Sequence, residues 1–302
     1  MSIPMTEAEK VVGGQDREAD APAAAAPSQP QPAATVPPPR RPPLWSIRGQ
    51  LDRRTYAAIA LFSFVLFLAV WGGAAASGMF SQVFLPGPLD VVKRLHAWFV
   101  EGGLLADTWI SIFRVSAGFL ISALMALPLA LFIGTYRPVQ AFFEPMVEFA
   151  RYLPAVAFVP LVLLWVGIGE GSKITIIWIG TFFQMVLMVS EDIRRVPMAQ
   201  IEAAQTMGAS AGELLELVVL KSAMPAIVDT LRVTLGWAWT YLVVAELVAA
   251  NSGLGYAILK AQRFLQTDKI FVGILMIGVI GLAMDQLFRL LHRRAFPWLY
   301  HE

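Results

Sequence analysis

The sequence predicts an all-α membrane protein with six core helical spans. Three observations predict it. Of 302 residues, 57% are hydrophobic and 15% charged, where soluble domains average about 25% charged; the mean hydropathy is +0.63. The apolar residues are gathered into runs near the roughly 20 residues that a helix needs to cross a hydrocarbon core of about 30 Å. The longest polar interruption, Glu191–Ile227, carries Glu191, Asp192, Arg194, Arg195, Glu202, Glu213, Glu216 and Lys221. A charge at the bilayer centre costs roughly 2.5–3.5 kcal/mol even on the lenient insertion scale, so this stretch must lie outside the hydrocarbon.

Taken in order, residues 1–43 are rich in Pro and Ala and hold almost no large apolar side chains. Such a segment cannot offset its ordering entropy, and the expectation is a disordered or polyproline-like tail. Its start, MSIPMTEAEK, has no apolar core behind a basic region, unlike a signal peptide. Residues 44–302 form the expected membrane domain. A basic lead-in with Arg48, Arg53 and Arg54 precedes the first span, Tyr56–Ala76. The turn cluster Phe84–Pro88 opens a surface helix, Leu89–Glu101. The second span covers Thr108–Gly134, with Pro128 as its candidate kink. A short polar stretch to Glu148 follows. The third apolar segment, Phe149–Val166, holds Pro154 and Pro160 and is expected to be short or irregular. The fourth span is Ile174–Ser190, the fifth Leu231–Ala250 and the sixth Ile270–Leu291, with an amphipathic piece, Tyr256–Thr267, between the last two.

An even span count puts both termini on one face. With the termini inside, the basic residues favour the inner face, and loop 191–227 becomes cytoplasmic. Several function classes are excluded or weakened. A net charge of +1 gives no electrostatic support for nucleic-acid binding. The absence of cysteine removes disulfides, thiol catalysis and cysteine-based metal sites. His96, His292 and His301 fit no metal-ligand spacing. No Ser/His/Asp set stands out as catalytic, and no G-x-x-x-x-G-K-[ST] motif for ATP occurs. The chain is therefore expected to be no enzyme and to bind no cofactor itself.

Loop 191–227 has local order of its own. Pro197 suits a first helical turn, and the Ala-rich run to Met207 favours helix. Gly208 is a natural helix terminator. Ser210 and Glu213 form S-x-x-E, a capping box for a second helix. Ala203, Ala204 and Gly208 are small, so another surface can come close to the backbone there.

Glu202-Ala203-Ala204, then Gly208, then Val218-x-Leu220, resembles the EAA signature of permease subunits of binding-protein-dependent ABC importers. The residue after Leu220 departs from that signature: Lys221 stands where Pro is usual, and Pro225 follows later. The resemblance extends over about Thr55–Trp298. Leu85-Pro-Gly-Pro88, the run Arg151–Pro160, the run Val244–Gly255 and the spacing of Gly281, Asp285 and Arg289 are similar to the nitrate, sulfonate and taurine branch. The resemblance implies a permease of the type I ABC importer kind, in which loop 191–227 holds coupling helices. Glu202, Ala203, Ala204, Gly208, Ser210 and Leu220 would then contact a separate ATPase. It further implies two ATPase copies carrying the ATP and Mg, a periplasmic or extracellular solute-binding protein, a second copy of this chain, and a bacterial inner membrane. The solute would be small and anionic.

Candidate pathway residues are Arg114, Trp237, Glu246 and Asn251. Arg114 could attract an anion, but its place near a span end also lets it snorkel. Glu246 is deeper, repels anions, and better suits anchoring the Asn251 loop or an inter-span hydrogen bond. Asp285 and Arg289 have the stabilising acid-first i,i+4 spacing. Gly236, Ala238, Gly253 and Gly255 would allow close helix approach, and Trp237 and Trp239 would pack or line the pathway. The rival class is an ATPase-independent secondary transporter or channel. It would need an internal ion site, typically in an inverted repeat, and no clear repeat appears.

Overall fold

The computed structural model describes residues 51–300; the expectation for tail 1–43 lies outside them. The described residues form eleven α-helices, and no strand occurs among them. These are α1 (Arg53–Ala76), α2 (Pro88–Val100), α3 (Gly103–Thr135), α4 (Arg137–Arg151), α5 (Val159–Val166), α6 (Glu170–Arg194), α7 (Met198–Thr206), α8 (Ala211–Glu213), α9 (Lys221–Ala249), α10 (Leu254–Arg263) and α11 (Thr267–Ala295). Short 3₁₀ turns span Ala155–Phe158 and Pro297–Leu299, and Leu214–Leu220 is π-helical.

Helices α1, α3, α6 and α11 are each long and apolar enough to cross a membrane. Helix α4 and the segment Ala155–Val166 make a fifth, broken pair bent by 87°. Helix α9 has 29 residues, about 43 Å at 1.5 Å per residue, which is longer than a hydrocarbon core of about 30 Å. The α1 residues carry no buried side chain and present Phe62, Phe64 and Phe67 outward. An apolar helix that meets protein chiefly through Trp71, stacked on Phe271 near its end, suits lipid along the rest of its length.

Within Ala58–Glu302, α3 and α6 form the central pair. A Cβ on Gly118 would stand 2.7 Å from Ile177 Cγ2, and one on Gly134 would stand 2.7 Å from Ile193 Cγ2. The two backbones thus touch near both ends of α3, with Ala123, Ala126 and Ala130 buried between. Close packing of small residues holds helices together where lipid removes the hydrophobic drive. Ser122 Oγ and Thr181 Oγ1 hydrogen-bond across the pair at 2.6 Å. Helix α9 adds Leu235, Ala238, Trp239 and Leu242 to this core. At the end of the molecule opposite loop 191–227, α2, α10 and α11 pack around Trp98, Leu254 and Val272.

Three expectations are refined or corrected. The polar stretch before Glu148 is helix α4, continuous through Pro145. One lost backbone hydrogen bond is tolerated where the helix packs, here through Val147 in the core. The break instead falls at Tyr152–Pro154, and Pro160 sits in the first turn of α5, where its missing N–H costs nothing. Second, the helix that carries the fifth span begins well before Leu231. Helix α8 passes through the π-helical stretch into α9 without a break at Lys221 or Pro225. Third, Gly236 does not serve close packing, since a Cβ there would meet nothing within 4 Å.

Candidate functional site

The loop between α6 and α9 is built by two local devices. Helix α7 ends in a paired backbone closure: Ala209 N donates to Ala204 O at 3.1 Å and Gly208 N to Gln205 O at 2.9 Å. This is a Schellman motif, and Gly208 takes the left-handed position at φ +86°. The chain turns back, and Ser210 caps α8. Ser210 N donates to Glu213 Oε2 at 2.8 Å, while Ser210 Oγ accepts from Glu213 N at 3.4 Å. The Ser210 backbone N–H and then its hydroxyl hold the Glu213 carboxyl below its ordinary pKa, so the cap is ionised throughout the neutral range.

Helix α7 is seated by one face. Ala204 is buried and Ile201 packs on the core, while Ser222 Oγ donates to Gln200 Oε1 at 2.8 Å and ties α7 to the start of α9. The other face carries Glu202, Ala203 and Thr206 in the open, and Met207 beside it is 81% exposed. Pro197 stands at the cap of α7, one place before the first helical turn. The result is a docked helix whose free face offers one acid, small residues and a flexible apolar side chain.

A second constellation lies at the opposite ends of α3, α6 and α9. Arg114 is fully buried. Its Nε and Nη2 donate to Glu170 at 2.6 and 2.8 Å, and its Nη1 donates to Glu246 Oε1 and to Ser252 O, both at 2.7 Å. Lys173 Nζ donates to Glu170 Oε1 at 2.8 Å. Glu246 Oε1 also accepts from Ser111 Oγ at 2.8 Å, and Glu246 Oε2 accepts from Gly255 N at 2.7 Å. Asp107 Oδ1 accepts from Gly253 N at 2.8 Å. Arg114 and Lys173 face Glu170, Glu246 and Asp107, and every Arg114 donor is met, which is what buried charge requires. Gly253 sits at φ +108°, and a Cβ there would fall on the Glu246 carboxylate.

Between these two regions lies a cleft of about 310 Å³, lined among others by Arg151, Phe183, Gln184, Trp237, Thr240 and Tyr241. Among the described residues no group of three or more His, Cys, Asp and Glu is placed to hold a metal.

Residues 118–297 match the family described as binding-protein-dependent transport system inner membrane component. The chain belongs to this family. Across 256 residues, the permease is 33% identical to the taurine transport system permease protein TauC of Escherichia coli (strain K12), covering 83% of this chain and 92% of that one. It is 33% identical over 254 residues to a Bacillus subtilis (strain 168) protein named as the aliphatic sulfonates transport permease SsuC, covering 84% and 92%. A chain of the inward-facing MetNI methionine ABC transporter shares the fold, with a TM-score of 0.53 at 21% identity over 64% of this chain and 95% of that one. This is a multi-pass inner-membrane permease of the ABC importer class, which works with a solute-binding protein and an ATPase.

The permease brings the six loop residues named from sequence into one region: Glu202, Ala203, Ala204, Gly208 and Ser210 on or beside α7, and Leu220 half-buried in the π-helical stretch. The four named pathway residues are not together. Arg114 and Glu246 are in the buried cluster, Asn251 is exposed on the neighbouring loop, and Trp237 lines the cleft. Arg114 does not snorkel, because Glu170 and Glu246 supply counter-charge inside the protein. Asp285 accepts from Arg289 at 2.8 Å, and Arg232 stands 3.4 Å from it. Trp239 is core. Sequence reasoning missed Ser111, Glu170, Ser252 and Met207. The available signal for two of them was a polar residue three places from Arg114 and an acid inside a glycine turn.

Proposed function

We propose that the permease carries a small anionic solute of the sulfonate type. Two copies would bound one pathway, and the relatives named for taurine and aliphatic sulfonates support that chemistry. Two ATPase subunits, holding the ATP and Mg, dock on loop 191–227. The observation that carries this role is the α7–α8 turn: a helix fixed on one face and open on the other, joined without a break to α9. The loop and both termini face the cytoplasm, as the basic residues favour. The chain itself hydrolyses nothing.

The test reconstitutes the permease with its ATPase and solute-binding protein and follows uptake of taurine, an alkanesulfonate and bicarbonate. Uptake should require both partners and ATP. Uptake by the permease alone, driven by an ion gradient, would move it to the secondary transporters. Cysteines placed at Pro88 and at the exposed Asn251 should label from outside, and one at Thr206 only after permeabilisation. The opposite pattern would reverse the topology.

A further inference from the structure

We infer that the cleft between α4, α6 and α9 is a transit subsite for small anions, with the Arg151 guanidinium as its cationic anchor. The inference rests on the permease reading and adds where the chain meets the charge of its solute.

Depth is the first observation. Ile179, Gly180, Phe183 and Gln184 lie half-way along α6, and Trp237, Thr240 and Tyr241 lie beyond the middle of α9. The cleft is therefore far from either end of these helices. Its volume of about 310 Å³ equals about ten waters at roughly 30 Å³ each, enough for a small hydrated solute.

The backbone is the second. The α4–α5 pair is broken at Tyr152–Pro154. Non-helical backbone at membrane depth persists only where it is buried in protein or lines a wet cavity. Here Arg151, Tyr152 and Leu153 are exposed, and Arg151 and Leu153 border the cleft. The break thus adjoins the cleft.

Charge is the third. Arg114, Arg194, Arg232 and Arg289 are each paired with carboxylates, and of the arginines without such a partner among the described residues, Arg151 is the one that lines the cleft. Arg151 donates from Nη2 to Tyr152 Oη at 3.0 Å and lies 4.8 Å from the centre of that ring. No carboxylate reaches it within ion-pair distance among the described residues. A cation in the last turn of α4 gains from the helix dipole, but that gain is a few-fold smaller than the cost of a charge at mid-depth. The uncompensated fork of donors matches a carboxylate or sulfonate in two-point contact. Gln184 and Thr240 across the cleft supply neutral hydrogen-bonding groups, and Trp237, 39% exposed, supplies an apolar wall.

The experiment uses the reconstituted importer and two quenchers of indole fluorescence, anionic iodide and neutral acrylamide. The Trp237 contribution is the quenching lost in Trp237→Phe. In Arg151→Gln its iodide component should fall about threefold or more, because local anion enrichment is lost, while acrylamide quenching is kept. Arg151→Lys should restore most of it. For whichever anion the wild type imports, Arg151→Gln should cut uptake about tenfold or more, the loss expected for a hydrogen bond to a charged group. The control Arg294→Gln should match wild type in both readouts. Unchanged iodide quenching or full uptake in Arg151→Gln would overturn the subsite. A wild type that imports neither the alkanesulfonate nor bicarbonate would sink the anionic-solute reading, and the quenching series would still decide the subsite.

Discussion

Glu246 divides its two oxygens between helix and loop: Oε1 takes Ser111 and Arg114, and Oε2 takes the backbone of Gly255. Removing one member of such a buried set leaves charge without a partner. Arg114→Met should therefore cost about 3–5 kcal/mol, read as a lower melting temperature of the purified permease. Arg114→Met combined with Glu246→Leu should cost less than the sum of the two single changes, because neither charge is then stranded. Additive losses would mean that the two side chains act independently. The partnership was legible only in part. Glu246 was expected to anchor the Asn251 loop or an inter-span bond, and it does both. Arg114 was expected near an interface, because its distance from the span end is visible in sequence and its partners, 56 and 132 positions away, are not.

At the level of elements, the turn from α7 to α8 was readable almost residue by residue. Its determinants are local: a glycine for positive φ, then Ser and Glu three apart. Gly208→Val should abolish transport-linked ATP hydrolysis, since a β-branched residue is a steric outlier at φ +86°. Gly208→Asn should keep most of it, because Asn tolerates that region. Open space surrounds Gly208 within 4 Å, so the contrast separates backbone strain from bulk. Glu202→Arg should abolish coupling with insertion intact, and Met207→Glu should weaken ATPase co-purification, because each alters the free face of α7. Near-normal uptake in Gly208→Val and Glu202→Arg would remove the loop from the coupling role. The broken pair α4–α5 was less legible. Three prolines, Pro145, Pro154 and Pro160, look alike in sequence, yet they sit inside a helix, at a break and in a first turn. Which role each takes is decided by packing that pattern alone does not contain.

On the scale of the whole molecule, the span order followed from composition, because lipid permits few backbone arrangements. The continuity of the chain from Ala211 to Ala249 did not, since Lys221 and Pro225 look like interruptions. That continuity has a mechanical meaning. Some 55 Å of helical rod, at about 1.5 Å per residue, reaches from the cap at Ser210 to the last turn beside Glu246. Near its far tip the rod grips the Ser252–Gly255 corner through Glu246. A tilt imposed at the capped end would swing that corner directly, as a crank turns a latch, with no relay of side chains between. A flexible insert should uncouple the two ends. Three glycines after Leu220 should leave ATP hydrolysis in place while uptake is lost, and simultaneous loss of both would place the transmission elsewhere.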